Sequence, residues 1–230
     1  MSNSNVIFSV IDLTPGDSST AGFRIIPSTY NMFTDVVAAD QIFHFDGVAA
    51  APGMPASVQV NEGDSMARSS TSGTFGELDT HAFVSAYPSG IHANASASQD
   101  GVVELYPHSE LIIRGQLIQT VEWNPEPLAF DFNSTGFINI GIRSGAQFTG
   151  ITRTLSLFGI DEASSTRQEE DYMLTFANHS DETVLLTFDA YLTSGVQILA
   201  VPEPAMFPML GAGVLVVAGW RRRARRQEAV

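Results

Sequence analysis

The chain contains no cysteine and no lysine. The first absence excludes disulfides, thiolate zinc sites and cysteine nucleophiles. The second excludes a Walker A phosphate loop, which depends on its lysine. A His-Glu-x-x-His pair, a Gly-x-Ser-x-Gly elbow, an EF-hand loop and a nonapeptide calcium repeat are missing as well. No repeat of fixed period runs through the chain, and no amphipathic helix of three turns can be traced before residue 204. The opening residues, Met1-Ser2-Asn3-Ser4-Asn5-Val6-Ile7-Phe8, have neither a basic n-region nor a long apolar stretch, so no secretory leader is visible in them.

Basic residues are scarce and unevenly placed. Residues 1–204 carry 24 acidic residues and 6 arginines, a net charge of −18, whereas residues 205–230 carry 5 arginines and 1 glutamate, a net +4. An acidic body repels phosphate and so excludes nucleic acid as a partner. It suits solubility outside a cell. With 44% hydrophobic residues, the body is expected to be a folded domain with its own core rather than a disordered stalk.

What the body does contain is strand pattern. Residues 6–13 are β-branched and apolar and end at the turn Thr14-Pro15-Gly16-Asp17. Residues 22–26 form a second short run stopped by Pro27. Phe43 and Phe45 then alternate with Ile42, His44 and Asp46, and residues 57–60 are briefly extended. Residues 61–101, rich in Gly, Ser, Ala and Thr, read as long loops around strands at 81–87 and 92–98, whose small alternating side chains fit a flat surface or a sheet edge. From Leu111 to Trp123 the alternation is clearest, with Leu111, Ile113, Leu117, Val121 and Trp123 on one side and Arg114, Gln116, Thr120 and Glu122 on the other. This predicts a strand pair or one strand bent at Gly115.

The same rule places Leu128, Phe130 and Phe132 opposite Asp131, aligns Ile138, Ile140 and Ile142, and continues over 149–158. Residues 161–171 read as an acidic loop. A last hairpin joins Tyr172, Leu174 and Phe176 to Val184, Leu186, Phe188, Ala190 and Leu192 through Asn178-His179-Ser180-Asp181. The expected fold is all-β: an antiparallel β-sandwich of jelly-roll or immunoglobulin-like type over residues 1–198.

Candidate chemistry in the body is thin. His44 with Asp46, and Asp79 with His81, share a strand face and could orient a histidine as general base. Without a nucleophile elbow a polar strand face is the plainer reading, and no enzyme is expected. Asp161-Glu162 and Glu169-Glu170-Asp171 are where calcium could gather, since it takes roughly six to eight oxygens. A solvated loop is plainer there, and no cofactor or metal is expected. Tyr87, Tyr106, Trp123 and Tyr191 could stack on sugars, although Trp123 is in register with the core side of its strand. The acceptor-like triplets at Asn94, Asn133 and Asn178 carry little weight.

The tail is built in three parts. Residues 199–204 form a linker ending in Val201-Pro202-Glu203-Pro204, where two prolines around a glutamate favour an extended segment poor in hydrogen bonds. From Ala205 to Trp220 no residue is charged. As a helix this stretch would span about 24 Å against a hydrocarbon core of roughly 30 Å. Local thinning and snorkelling arginines would close the gap, with Trp220 at the interface. In the final stretch, 221–230, Arg221, Arg222, Arg223, Arg225 and Arg226 form a basic stop. Such a cluster stays cytoplasmic, so the body is expected outside.

These three parts in this order resemble the PEP-CTERM protein-sorting signal of Gram-negative bacteria. The resemblance implies a single C-terminal transmembrane helix over 205–220 and recognition by exosortase, a membrane-embedded cysteine protease acting near the Pro-Glu-Pro motif. It further implies a protein held in the inner membrane through the lipid bilayer, passed to the cell surface or extracellular matrix, and associated with exopolysaccharide and biofilm. Export of the body implies a signal peptide upstream of Met1, and residues 6–17 resemble the first strand of mature proteins in this family. Two alternatives stand beside this reading: a carbohydrate-binding or polysaccharide-acting module on the same anchor, and a permanently tail-anchored membrane protein whose Pro-Glu-Pro is coincidental.

Overall fold

The computed structural model describes residues 1–18, 20–37, 42–63, 65–84, 92–123, 130–159 and 164–200. In chain order the strands are β1 (Ser2–Asp12), β2 (Phe23–Val37), β3 (Phe43–Ala50), β4 (Ala56–Glu62), β5 (Ser65–Thr71) and β6 (Leu78–Phe83). They continue with β7 (His92–Leu105), β8 (Ser109–Trp123), β9 (Phe130–Ser144), β10 (Gln147–Gly159), β11 (Ser164–Asn178) and β12 (Val184–Ala200). Two six-stranded sheets result, ordered β11-β8-β1-β6-β5-β4 and β10-β9-β12-β7-β2-β3. No helix occurs among the described residues. The expected span 205–220, the Val201-Pro202-Glu203-Pro204 motif and the arginine cluster lie outside them.

The two sheets bury one face each. Ile138, Ile140 and Ile142 on β9 and Leu186, Phe188 and Leu192 on β12 are fully buried, as their alternation predicts. Each such side chain is worth roughly 1.5–3 kcal/mol relative to exposure. Phe8, Phe75 and Phe188 meet between the sheets with ring centroids 4.8–5.7 Å apart. Two polar contacts cross the interior: Thr80 Oγ1 and Ser194 Oγ lie 2.7 Å apart, and the Gly76 amide donates to Gln99 Oε1 at 2.6 Å.

Several expectations need correction. Residues 61–101 are not mainly loop: β5, β6 and β7 run through them. The small residues of β7 mark neither an edge nor a flat outer surface, because Ala93, Ala95 and Ala97 are buried and β7 lies between β12 and β2. Short side chains there let the facing sheet, with Ala67 on β5, pack close. Residues 164–171 are strand rather than acidic loop, paired with β8 from Ser164↔Trp123 to Asp171↔Gln116. Charge is tolerated because β11 is an edge strand, where charged side chains also discourage pairing with other chains.

β8 is one strand. Gly115 lies opposite Tyr172 on β11, and a Cβ at Gly115 would sit 2.5 Å from the Tyr172 hydroxyl, so the glycine makes room for the ring.

The last two strands do not form a hairpin. β11 pairs with β8 in one sheet and β12 with β7 in the other. Local alternation is the same whether a turn keeps its strands in one sheet or carries the chain across. Here a buried asparagine sets the corner. Asn178 Nδ2 reaches the carbonyls of Leu105, Tyr106 and Glu182 at 3.2, 3.0 and 2.8 Å, and its Oδ1 accepts from the Ser180 amide and hydroxyl at 3.0 and 2.7 Å.

Candidate functional site

The outward face of the sheet containing β12 gathers polar side chains that are far apart in sequence. Val36, Ala93 and Ala95 point into the core, so their neighbours Asp35, His92 and Asn94 point outward. Pairing register then sets Phe43, Val37, His92 and Gln197 in one row across β3, β2, β7 and β12, and Phe45, Asp35, Asn94 and Gly195 in the next. On β9, Ser134 Oγ donates to the Gly195 carbonyl at 3.3 Å, which brings its neighbours Asn133 and Thr135 beside Gln197 and Gly195. β10 completes the rows by pairing Phe158 with Asn133 and Ser156 with Thr135.

A cavity of about 270 Å³ results, lined by His92, Asn94, Asn133, Thr135, Gly195 and Gln197. Gly195 forms part of the floor: a Cβ there would meet Asn94 Oδ1 at 2.8 Å and Thr135 Oγ1 at 3.3 Å. Asp35, only 5% exposed, stands behind the wall. Its Oδ2 lies 3.1 Å from His92 Nε2 and accepts from Asn94 Nδ2 at 3.3 Å, which holds both side chains in place. Asn133 Oδ1 is buried without a hydrogen-bond partner. Phe158 and Phe43, at opposite ends of the first row, are 71% and 52% exposed.

A second feature lies further along the same face. Asp100 and Asp189 are direct cross-strand neighbours, and Arg143 Nη2 donates to Asp189 Oδ2 at 3.1 Å. Burial, and then the adjacent Asp189 charge, holds the Asp100 carboxyl above the ordinary carboxylate range.

The residues singled out from sequence fare differently. His44 reaches Glu62 on β4 at 3.3 Å, while Asp46 accepts from the Gly47 amide, so these two do not form a dyad. His81 is opposite Arg68, and Asp79 opposite Ser70, across β5–β6. Alternation splits the acidic run. Glu170 takes both ends of the Arg153 guanidinium at 2.6 Å, tying edge strand β11 to edge strand β10 of the other sheet. Glu169 accepts from Arg167 and Gln116, and Asp171 from Gln116. No group of three or more His, Cys, Asp or Glu among the described residues could hold a metal ion. Asp161, Glu162 and Tyr87 lie outside the described residues, as does the Trp123 side chain.

Tyr106 packs over Gly22 rather than forming a platform, and Tyr191 is exposed beside Phe137 with ring centroids 6.0 Å apart. The Asp35–His92 pair and its amide neighbours were missed because 57 positions separate them. Only the β2–β7 register reveals them. Two of the three discounted asparagines, Asn94 and Asn133, line the cavity, and the third, Asn178, builds the corner.

A search of curated proteins finds no match. Among solved structures, similarity is faint. The enzymatically active domain of tailspike protein 4 of bacteriophage CBA120 is 9% identical over 44% of this chain and 15% of its own, with a TM-score of 0.12. TmCBM61, solved in complex with β-1,4-galactotriose, is 12% identical over 43% of this chain and 66% of its own, at 0.11. The CBM22-1-CBM22-2 tandem domain of Paenibacillus barcinonensis Xyn10C is 10% identical over 87% of this chain and 78% of its own, at 0.15. Scores this low carry no inference. The informative match is to a sequence motif: residues 200–223 match the PEP-CTERM protein-sorting motif.

Proposed function

We propose that this chain is an exported, non-enzymatic protein of the cell surface or extracellular matrix, delivered by its C-terminal sorting signal. Residues 205–220 hold it in the inner membrane with the sandwich outside the cytoplasm. Exosortase then acts near Val201-Pro202-Glu203-Pro204, and the released or re-attached body joins an exopolysaccharide or biofilm matrix. The observation that carries this reading is the motif match over residues 200–223, which includes Pro-Glu-Pro, the uncharged run and the first three arginines in order. Supporting it, the body builds a two-sheet core without disulfides, and its acidic charge keeps it soluble among anionic surfaces.

The test replaces the tripeptide by Pro202→Ala, Glu203→Gly and Pro204→Ala in the native host, followed by fractionation and intact mass. The expected result is retention in the inner membrane of a chain that keeps its arginines, while the unaltered protein loses them. Unchanged surface delivery and unchanged tail loss would refute the sorting assignment. An unaltered protein that retains its arginines at the surface or in the membrane would instead identify a permanent tail anchor.

A further inference from the structure

We propose that the cavity on the outward face of the β12 sheet binds one neutral sugar ring, with Asn94, Asn133, Thr135, Gln197 and His92 contacting its hydroxyls and Phe158 flanking it. The reading is independent of how the chain is delivered, since it rests on side chains of the sandwich alone.

Four observations select this ligand class. The first is size: at about 270 Å³ the cavity falls just below the roughly 300–1,000 Å³ of sites for drug-sized ligands, which suits a single ring. The second is the chemistry of the lining. Asn94, Asn133, Gln197 and Thr135 present neutral groups that donate and accept, the complement of hydroxyls that do both. The third is charge. No arginine lines the cavity, and a buried carboxylate stands behind it in a strongly acidic body, so anionic ligands are repelled. Asp35 already takes contacts from His92 and Asn94, and no metal-binding group is present among the described residues, which disfavours a cation. The fourth is the rim: Phe158, beside Asn133 in register and 71% exposed, offers a ring to the apolar C–H face of a pyranose. Asp35 fixes His92 and Asn94 before any ligand arrives, which lowers the ordering cost of binding.

A ring of about a dozen non-hydrogen atoms at drug-like ligand efficiency binds with a millimolar Kd. The experiment uses the full chain in phosphocholine micelles, free of sugar-based detergent. Saturation-transfer NMR is run with methyl glycosides of glucose, galactose and mannose and with glucuronate, each up to about 50 mM to cover that range. At least one neutral glycoside should bind, with a transfer signal that saturates as its concentration rises. Asn133→Ala, which removes one amide from the lining, should weaken it about tenfold, the loss expected for one good hydrogen bond, with a thermal melt to confirm that the variant is folded. Gly195→Val, which fills the floor, should abolish binding, and Arg143→Ala, on the same face but away from the cavity, should leave it unchanged. If none of the neutral glycosides binds, if glucuronate binds more tightly than all of them, or if a folded Asn133→Ala variant binds as well as the parent, the assignment is wrong.

Discussion

Replacing Asn178 with alanine should be the most damaging single polar substitution at the corner joining the two sheets. Asn178 is 3% exposed and makes five close contacts, three through Nδ2 and two through Oδ1. The amide has two hydrogens, so two of the three carbonyls are fully served at once, and the Ser180 amide and hydroxyl share the oxygen. Losing about three net hydrogen bonds at about 1 kcal/mol each, with buried carbonyls left short, gives a loss of about 3 kcal/mol. For a domain of this size that lowers Tm by roughly 6–12 °C, at about 2–4 °C per kcal/mol. Asn178→Asp keeps the shape but turns a lone pair toward three carbonyls, so at neutral pH it should be worse than alanine. Its folded-state pKa is then raised, because only the protonated carboxyl can donate to those carbonyls. A raised pKa means stability present below the unfolded-state value and lost as pH rises through the folded one. The Asn178→Asp variant should therefore regain much of its deficit as pH is lowered toward 4. Thermal melts of the full chain followed by circular dichroism at several pH values read both effects. An Asn178→Ala loss under about 1 kcal/mol, or an Asn178→Asp variant as stable as the parent at pH 7, would refute the role assigned to this corner.

Three further outcomes follow from the geometry. Gly115→Ala would ordinarily stabilise by about 0.4–1 kcal/mol through the unfolded chain. Here the new methyl would sit 2.5–2.7 Å from the buried Tyr172 ring and hydroxyl, and overpacking of about 1–3 kcal/mol should win. Urea denaturation should show a net loss that Tyr172→Leu relieves in the double variant; a stabilised Gly115→Ala would mean the ring yields freely. Asp100→Asn should raise stability at pH 7 by about 0.2–1 kcal/mol, the worth of removing a like-charge cross-strand pair. Because burial and Asp189 raise the Asp100 pKa, that gain should fade as pH falls through the carboxylate range, and its absence at neutral pH would count against the pairing. Finally, the chain carries a second Pro125-Glu126-Pro127 with no uncharged span or arginine cluster behind it. Processing should leave this copy intact, so a fragment ending near residue 127 in the mass spectrum would show that three letters suffice.

The alternation of Ile138, Ile140 and Ile142, and of Leu186, Phe188, Ala190 and Leu192, was legible because a two-sided strand writes its buried face into every second residue. The class of fold followed from repeating that reading. Sheet membership did not, since Phe176 and Val184 look the same whether they flank a hairpin or a crossing between layers. The decisive residue, Asn178, works through carbonyls of Leu105 and Tyr106 that no local pattern announces. The acidic stretch ending at Asp171 misled for a related reason: charge density reads as loop, but an edge strand can carry it when Arg153 and Gln116 reach it from neighbouring strands and Arg167 sits beside it on its own. The cavity was invisible to spacing. Asp35, His92, Asn133 and Gln197 become neighbours only through the strand order β9-β12-β7-β2. The tail was the reverse case, a signal contained wholly in consecutive letters.

β12, the last strand among the described residues, occupies the middle of its sheet, between β9 and β7. Until it arrives, that layer exists only as two separate halves, β10-β9 and β7-β2-β3, with nothing to bridge them. Closure of that layer therefore depends on residues 184–200, immediately ahead of the sorting motif.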